Sequence, residues 1–403
     1  MPHVATLPSR FPAASRLRYM DAPIRDVLTP ARELERQGHK VLKLNIGDPD
    51  AYDFAPPEPL AAALREAATL GRYADSEGVP DVRQAIVKYE KESRGLVLDP
   101  EDVVFTAGVS EALQFLFGAI LEAGDEVLVP GPAYPQYLGV TCFYGAVPVE
   151  YPSSPANGWI PRIEDIAARI TPRTRAIAVI SPNNPTGAVY PKAILKAIAK
   201  LAHERNLVLI SDDIYSELVF DGETAPTLAT EPGPCIILNG FSKNWLVPGW
   251  RAGYIAFKHD GELADIKEGV LRQARSRLSA SYPIQIALAN AIRAHAPHLP
   301  ELRRKLRERA DLVVKRVSET ENLTLAAPKG AFYALVGVPH NPWSTDKEWV
   351  LNLLKEEKVL VVHGSGFGQS AAGHFRTVIL PPPETLNEAF DRIIRFADKT
   401  SKK

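Results

Sequence analysis

The sequence predicts an α/β protein with a mostly parallel central sheet between helices and a smaller α+β part drawn from the two chain ends. Two observations point there. From Val103 onward, short and nearly all-apolar runs bounded by Gly, Pro or Asp alternate with stretches of helical period. Strands covered on both faces by helices read this way. The chain also has 403 residues, 45% of them hydrophobic, enough for a large core and too long for one simple layer packing.

In chain order, residues 22–40 read as a helix with a charged face (Arg25, Glu33, Glu35, Arg36) that stops at Gly38. Val41, Leu42, Leu44 and Ile46 form a short strand entering the turn NIGDPD, and proline-rich connectors lead to a helix near Leu60–Gly71. The strand runs of the main sheet are VVFTAG, EVLVPG, RAIAVISP, LVLISDDIY, CIILNGFS and RAGYIAF, with helices at 110–123 and 192–205 between some of them. Long helices fill 262–319, where Leu302, Leu306, Ala310, Val313 and Val317 make an apolar stripe. After Pro328 come the short strands GAFYALVGV, VLVVHG and HFRTVILP, then a helix from Leu386 to Ala397. The division expected is 1–59 for an arm and part of a small domain, 60–295 for a large α/β domain, and 296–403 for the rest of the small domain.

The net charge of −1 gives no broad electrostatic footprint for nucleic acid. The cluster Arg303, Arg304, Lys305, Arg307 and Arg309 is interleaved with acids and reads as a solvated helix face. No apolar stretch is long enough to span a membrane. Cys142 and Cys235 lie in apolar surroundings and read as buried thiols. His295 and His298, beside two prolines, read as a helix end and not as a metal site. The first 18 residues carry arginines, prolines and no acids, and read as the flexible arm of a cytoplasmic enzyme more than as a transit peptide. Thirty-five prolines and two methionines lean toward a heat-stable protein.

Ligands of parallel sheets bind beyond the carboxyl ends of the strands, so the strand-end residues carry the functional argument. In SKNWLVPGWRAG, Lys243 follows Ser242 at the end of the strand around Ile236–Leu238, and Arg251 comes eight residues later. A lysine that must form an imine with an aldehyde cofactor needs a rigid strand end, a dry site and anion-binding groups nearby. In TAGVSEAL, a glycine and Ser110 stand between a strand and a helix. Free N–H groups there bind anions, and the alternative is that Ser110 only caps the helix. Asp212, at the end of LVLIS, is costly to bury without a cation opposite. A protonated pyridine nitrogen is such a partner, and a helix cap is the alternative. Tyr215, three residues on, can reach a ring hydroxyl or simply pack. Asn184 in SPNNPTG can donate to the same oxygen, and Tyr134 in PGPAYPQY can lie on a ring. Arg376 stands inside the apolar strand GHFRTVIL. Its planar fork suits a carboxylate, either that of a substrate or that of a structural acid.

Taken together and in this order, NIGDP, Tyr73 with Gly78, NNPTG, SDDIY, SK with GWRAG, and the C-terminal FR resemble the class I pyridoxal-phosphate aminotransferases of fold type I. The resemblance covers nearly the whole chain. It implies that Lys243 carries pyridoxal 5′-phosphate and moves the α-proton. It implies Asp212 on the pyridine nitrogen, Asn184 and Tyr215 on the ring oxygen, and Tyr134 stacked on the ring. Val109, Ser110, Ser242 and Arg251 would hold the phosphate, joined by Tyr73 from the other subunit of a homodimer with shared sites. Arg376, Asn184 and the Gly47 backbone would bind the substrate. Val109 departs from the small residue common at its position, which matters little if only its N–H is used. The segments IRDVLTPARELERQGHKVLKLNIGDP and VLVVHGSGFG with GHFR most resemble alanine aminotransferases of archaea and bacteria. The implied reaction is L-alanine with 2-oxoglutarate giving pyruvate and L-glutamate. Aspartate or aromatic transamination is the alternative, and a lyase, decarboxylase or synthase on the same fold is a more distant one.

Two rival classes fit less well. A nicotinamide dehydrogenase would need G-x-G-x-x-G between a strand and a helix, and GSGFG at 364–368 has the wrong spacing. A regulator with a fused DNA-binding domain would need more chain than the short N-terminal arm offers.

Overall fold

The computed structural model describes residues 11, 13–20, 23–259, 261–292 and 296–401. Most of the expected arm, and His295, lie outside them. The described end of the arm enters a 3-10 helix, Ser15–Tyr19. The first expected helix is split into α1 (Pro23–Asp26) and α2 (Leu28–Arg36), and the turn after α2 passes through Gly38 at φ 88°. The strand expected over 41–46 is only β1, Leu42–Lys43. Next come α3 (Glu58–Ala67) and α4 (Pro80–Arg94). Pro80 opens α4 at its first turn, and Gly95, at φ 71°, closes it by donating to Lys91 O at 3.0 Å.

The main sheet holds β2 (Val103–Thr106), β3 (Glu126–Gly131), β4 (Val147–Pro152), β5 (Thr174–Ile180), β6 (Val208–Asp212), β7 (Cys235–Gly240) and β8 (Gly253–Lys258). Its spatial order is β2-β8-β7-β6-β5-β3-β4. All neighbours pair parallel except β8, which runs antiparallel to both β2 and β7. β2, β3 and β7 are buried along their whole length, as their unbroken apolar pattern requires. β4 had no such pattern: it is a half-exposed edge strand containing Pro148 and Pro152. Two helices follow strand ends and face the functional cleft, α5 (Val109–Ile120) after β2 and α6 (Pro135–Phe143) after β3.

Helices Ala264–Arg277, Tyr282–Ala291 and Leu299–Val317 account for the long helical region. The stripe from Leu302 to Val317 is buried, and the arginines between its members pair with acids, Arg304 with Glu301 and Arg307 with Asp221. The C-terminal part contains β9 (Thr324–Leu325), β10 (Tyr333–Gly337), β11 (Val359–Leu360), β12 (Val362–His363) and β13 (His374–Val378). Four of these form an antiparallel sheet in the order β12-β13-β10-β9. β11 instead pairs parallel with β1, joining the two ends of the chain. Helix Asp346–Glu357, unassigned from the sequence, opens with a capping box between Thr345 and Glu348, a signal the sequence does contain. The last helix is Pro383–Thr400.

Cys235 is buried, but Cys142 is half-buried near the end of α6, and both are free thiols. His298 stands at the N-cap of helix Leu299–Val317, as a helix end, and its Nε2 donates to Asn244 O at 2.6 Å. No helix among the described residues is long and apolar enough to cross a membrane. Among the same residues no cluster of His, Cys, Asp and Glu is arranged to hold a metal ion.

Candidate active site

The carboxyl ends of β5, β6 and β7 open onto a cleft of about 680 Å³. It gathers Gly47, Val109, Ser110, Tyr134, Asn184 and Asp212 with Tyr215, Ser242, Lys243, Arg251 and Arg376. Tyr73 is the exception. It lies outside the cleft with 81% of its surface exposed.

Lys243 is half-buried just beyond the end of β7, and its Nζ donates to Gly47 O at 3.1 Å. The rings of Phe332 and Tyr215 lie 5.9 and 6.0 Å from that nitrogen. Beside it, Ser242 is buried. Arg251 has left-handed backbone, φ 53°, and donates to Pro248 O at 2.9 Å and Ala107 O at 3.1 Å. These bonds hold the guanidinium against the start of α5. There Gly108, at φ 82°, is the N-cap, and a Cβ on it would come within 2.6 Å of Arg251 Nη2. Ser110 is therefore not the cap. It sits in the first turn, where its N–H and that of Val109 have no intrahelical acceptor. The cleft thus gathers a helix start, two hydroxyls and a guanidinium, groups of the kind that bind anions.

Asp212 ends β6 and is buried. Tyr137 donates its hydroxyl to Oδ2 at 2.8 Å, and Ile214 N–H donates to Oδ1 at 3.3 Å. Burial pushes this carboxyl up from its usual 3.8 to about 7, against the pull of those two donors and with the charge of Asp213 adding to the rise. No cation among the described residues pairs with it.

Arg376 presents the opposite case. It lies on β13 and is 1% exposed. It donates to Asn184 Oδ1 at 3.1 Å and to Asn45 O, and its Nε finds no partner. The rings of Tyr333 and Phe367 lie 4.4 and 4.8 Å from its central carbon. No acid faces it among the described residues, so a structural carboxylate is not what it awaits. Burial lowers its proton affinity, and only the three phenols Tyr333, Tyr215 and Tyr134 counter that.

The NNPTG turn divides its labour. Asn183 Oδ1 accepts from Thr186 N at 3.2 Å and Thr186 Oγ1 at 2.9 Å, holding the turn. Asn184 is left free to face the cleft, and with Oδ1 on Arg376 its amide N–H groups point elsewhere. Tyr134 is the N-cap residue of α6, and burial raises its hydroxyl. Sequence reasoning missed Tyr137, Tyr333 and Arg25, all of which line the cleft. Tyr137 lies one turn from Tyr134, which was a usable signal. Tyr333 had none beyond its place in an apolar strand.

The family described as aminotransferase class I and II matches residues 39–393. The chain belongs to the class I and II aminotransferases. Within this family it is 36% identical to the glutamate-pyruvate aminotransferase AlaA of Haemophilus influenzae, over 96% of this chain and 98% of that one. It is also 36% identical to the aspartate/prephenate aminotransferase of Thermus thermophilus, over 91% of this chain and 93% of that one. Among solved structures, the alanine aminotransferase from Pyrococcus furiosus superposes with a TM-score of 0.93 at 46% identity, covering 96% of this chain and all of that one. The chain is thus an aminotransferase of fold type I, and the expected sheet, its mostly parallel order and the family motifs agree.

Proposed function

We propose that this aminotransferase uses pyridoxal 5′-phosphate to exchange the amino group of L-alanine with 2-oxoglutarate. The observation that carries the reading is the pair of buried ionisable groups on one cleft that find no opposite charge among the described residues, Asp212 and Arg376. When bound, the cofactor supplies an aldehyde for Lys243 and an electron sink for the substrate α-carbon. The residues present fit it. Val109 N–H, Ser110, Ser242 and Arg251 would hold its phosphate, and Asp212 its ring nitrogen. Asn184 and Tyr215 would meet the ring oxygen, and Tyr134 the ring face.

The chain's own groups then have distinct tasks. Arg376 takes the substrate α-carboxylate in a two-pronged bond, with Asn184 beside it. Lys243 Nζ would take the proton from the substrate α-carbon and hold it for redelivery. Gly47 O, already bonded to that nitrogen, keeps it aimed.

The alanine assignment is supported by the relatives from Pyrococcus and Haemophilus. Aspartate is the second reading, because of the Thermus relative and because Arg25, an exposed cation on the cleft, is available to a distal carboxylate. Specificity constants for alanine, aspartate, glutamate and an aromatic donor decide between them. A tenfold lead for aspartate or the aromatic donor overturns alanine and leaves transamination standing.

The same reading includes a cytoplasmic homodimer in which Tyr73 reaches the partner's phosphate. Its support is the exposure of Tyr73, Leu70 and Leu278 in the single chain. Mixing a Lys243→Ala chain with a Tyr73→Phe chain is expected to restore activity above either parent. The division at residues 59 and 295 belongs to this reading too, supported by the confinement of β2–β8 to the middle part and β9–β13 to the last.

A further inference from the structure

Tyr333 has no part in the roles assigned above, yet it touches most of the groups that have one. It lies on β10, buried, with its hydroxyl 2.9 Å from that of Tyr215. The two rings meet edge to face, centroids 5.8 Å apart and planes at 82°. The guanidinium of Arg376 covers one face of the Tyr333 ring at 4.4 Å. The hydroxyl sits so close to Gly47 that a side chain at that position would collide with it.

Two facing hydroxyls share one hydrogen bond and leave one proton to spare, so its direction matters. If Tyr215 donated, the spare proton would belong to Tyr333, which lies beside the cation Arg376 and, before the cofactor is bound, the cation Lys243. If Tyr333 donates, its oxygen faces those cations and its proton points away from them, while the proton of Tyr215 is left for the cleft. The acidities agree with the second arrangement. Burial raises Tyr215 well above its usual value, while for Tyr333 burial is countered first by the charge of Lys243 and then by that of Arg376, and the net shift is downward. The more acidic phenol is the better donor.

We propose that Tyr333 is a positioning residue whose hydroxyl donates to Tyr215 and so turns the Tyr215 proton toward the ring oxygen of the bound cofactor. This rests on the cofactor reading above. The test uses apoprotein titrated with pyridoxal phosphate and, separately, with the analogue in which hydrogen replaces the ring hydroxyl. Tyr333→Phe keeps the aromatic face under Arg376 and removes only the donor. It is expected to weaken pyridoxal phosphate binding about threefold to tenfold and leave the analogue's affinity unchanged. In a Tyr215→Phe background, Tyr333→Phe should add nothing. The pH midpoint of the colour change of the loaded protein should rise by roughly half a unit to one unit in Tyr333→Phe. An equal loss for both ligands, additive losses in the double variant, or an unmoved midpoint would each reduce Tyr333 to packing. If the unmodified apoprotein binds no pyridoxal phosphate, the cofactor reading itself falls and takes this proposal with it.

Discussion

Asp212 and Asp213 are consecutive and both buried, yet their surroundings are of opposite kinds. Asp213 turns away from the cleft. Its carboxylate accepts from Arg94 Nη1 at 2.6 Å, Ser211 Oγ at 2.7 Å and Thr227 Oγ1 at 2.8 Å. Arg94 is held in turn by Glu90 at 2.7 Å, and Glu90 also accepts from Asn239 on β7 and Tyr254 on β8. The protein closes this network itself, tying α4 to the ends of three strands. Asp212 has two neutral donors and, among the described residues, no cation. A buried charge matched from within is costly to strip of its partner, whereas a buried group left unmatched points to a ligand that completes it.

The contrast makes opposite demands on substitutions. Lys243→Ala is expected to lower turnover by roughly four powers of ten or more while circular dichroism and melting temperature stay near the unmodified protein's. A comparable loss of fold would mean that the cleft also carries structural load. Asp213→Ala should do the reverse. It removes one acid from Arg94 in a dry site, which costs about 3–5 kcal/mol of stability by denaturant titration. Near-normal stability would show that Glu90 alone suffices.

Asp212→Asn crosses the two categories. Turnover should fall roughly 10²–10³-fold, as for loss of a preorganised electrostatic partner. Yet the cofactor-free variant should be more stable than its parent at pH 8. The folded carboxyl titrates near 7 against an ordinary 3.8, so between those values the folded state holds a proton that the unfolded chain has released. Stability of the unmodified apoprotein therefore falls as pH rises through that window, by up to a few kcal/mol, and the asparagine variant escapes the fall. Melting curves of both apoproteins at pH 4 and pH 8 check this, and a gap that does not widen with pH contradicts it. Thr227→Val is the mildest case. It removes a donor to Asp213 and the cap acceptor of Ala229 N–H, and about 1–2 kcal/mol is expected by denaturation, with kcat unchanged.

Much of the site was legible because its members sit at strand ends, each announced by a Gly, Pro or Asp after an apolar run. That is why Asn184, Asp212 and Lys243 could be picked out and meet in one cleft. What was hidden depends on which distant segments converge. Tyr137 is 75 residues from Asp212, and Tyr333 is 118 from Tyr215. A tyrosine in an apolar run looks the same whether or not its hydroxyl is used. The antiparallel course of β8 was equally hidden, since buried strands of either direction share one pattern. The place of Tyr73 on the surface could not be read either, because exposure depends on packing and not on the Tyr-to-Gly spacing.

The pairing of β1 with β11 has a bearing on how the molecule comes into being. Leu42 lies opposite Val359, so nearly the whole chain must be synthesised before the early strand meets its neighbour. The sheet bearing Asp212 and Lys243 can assemble while the ribosome is still working. The segment with Gly47 must wait, without a strand to lie against, until the last part emerges with Arg376. The half of the cleft that would receive the cofactor is thus complete before the half that would choose the substrate.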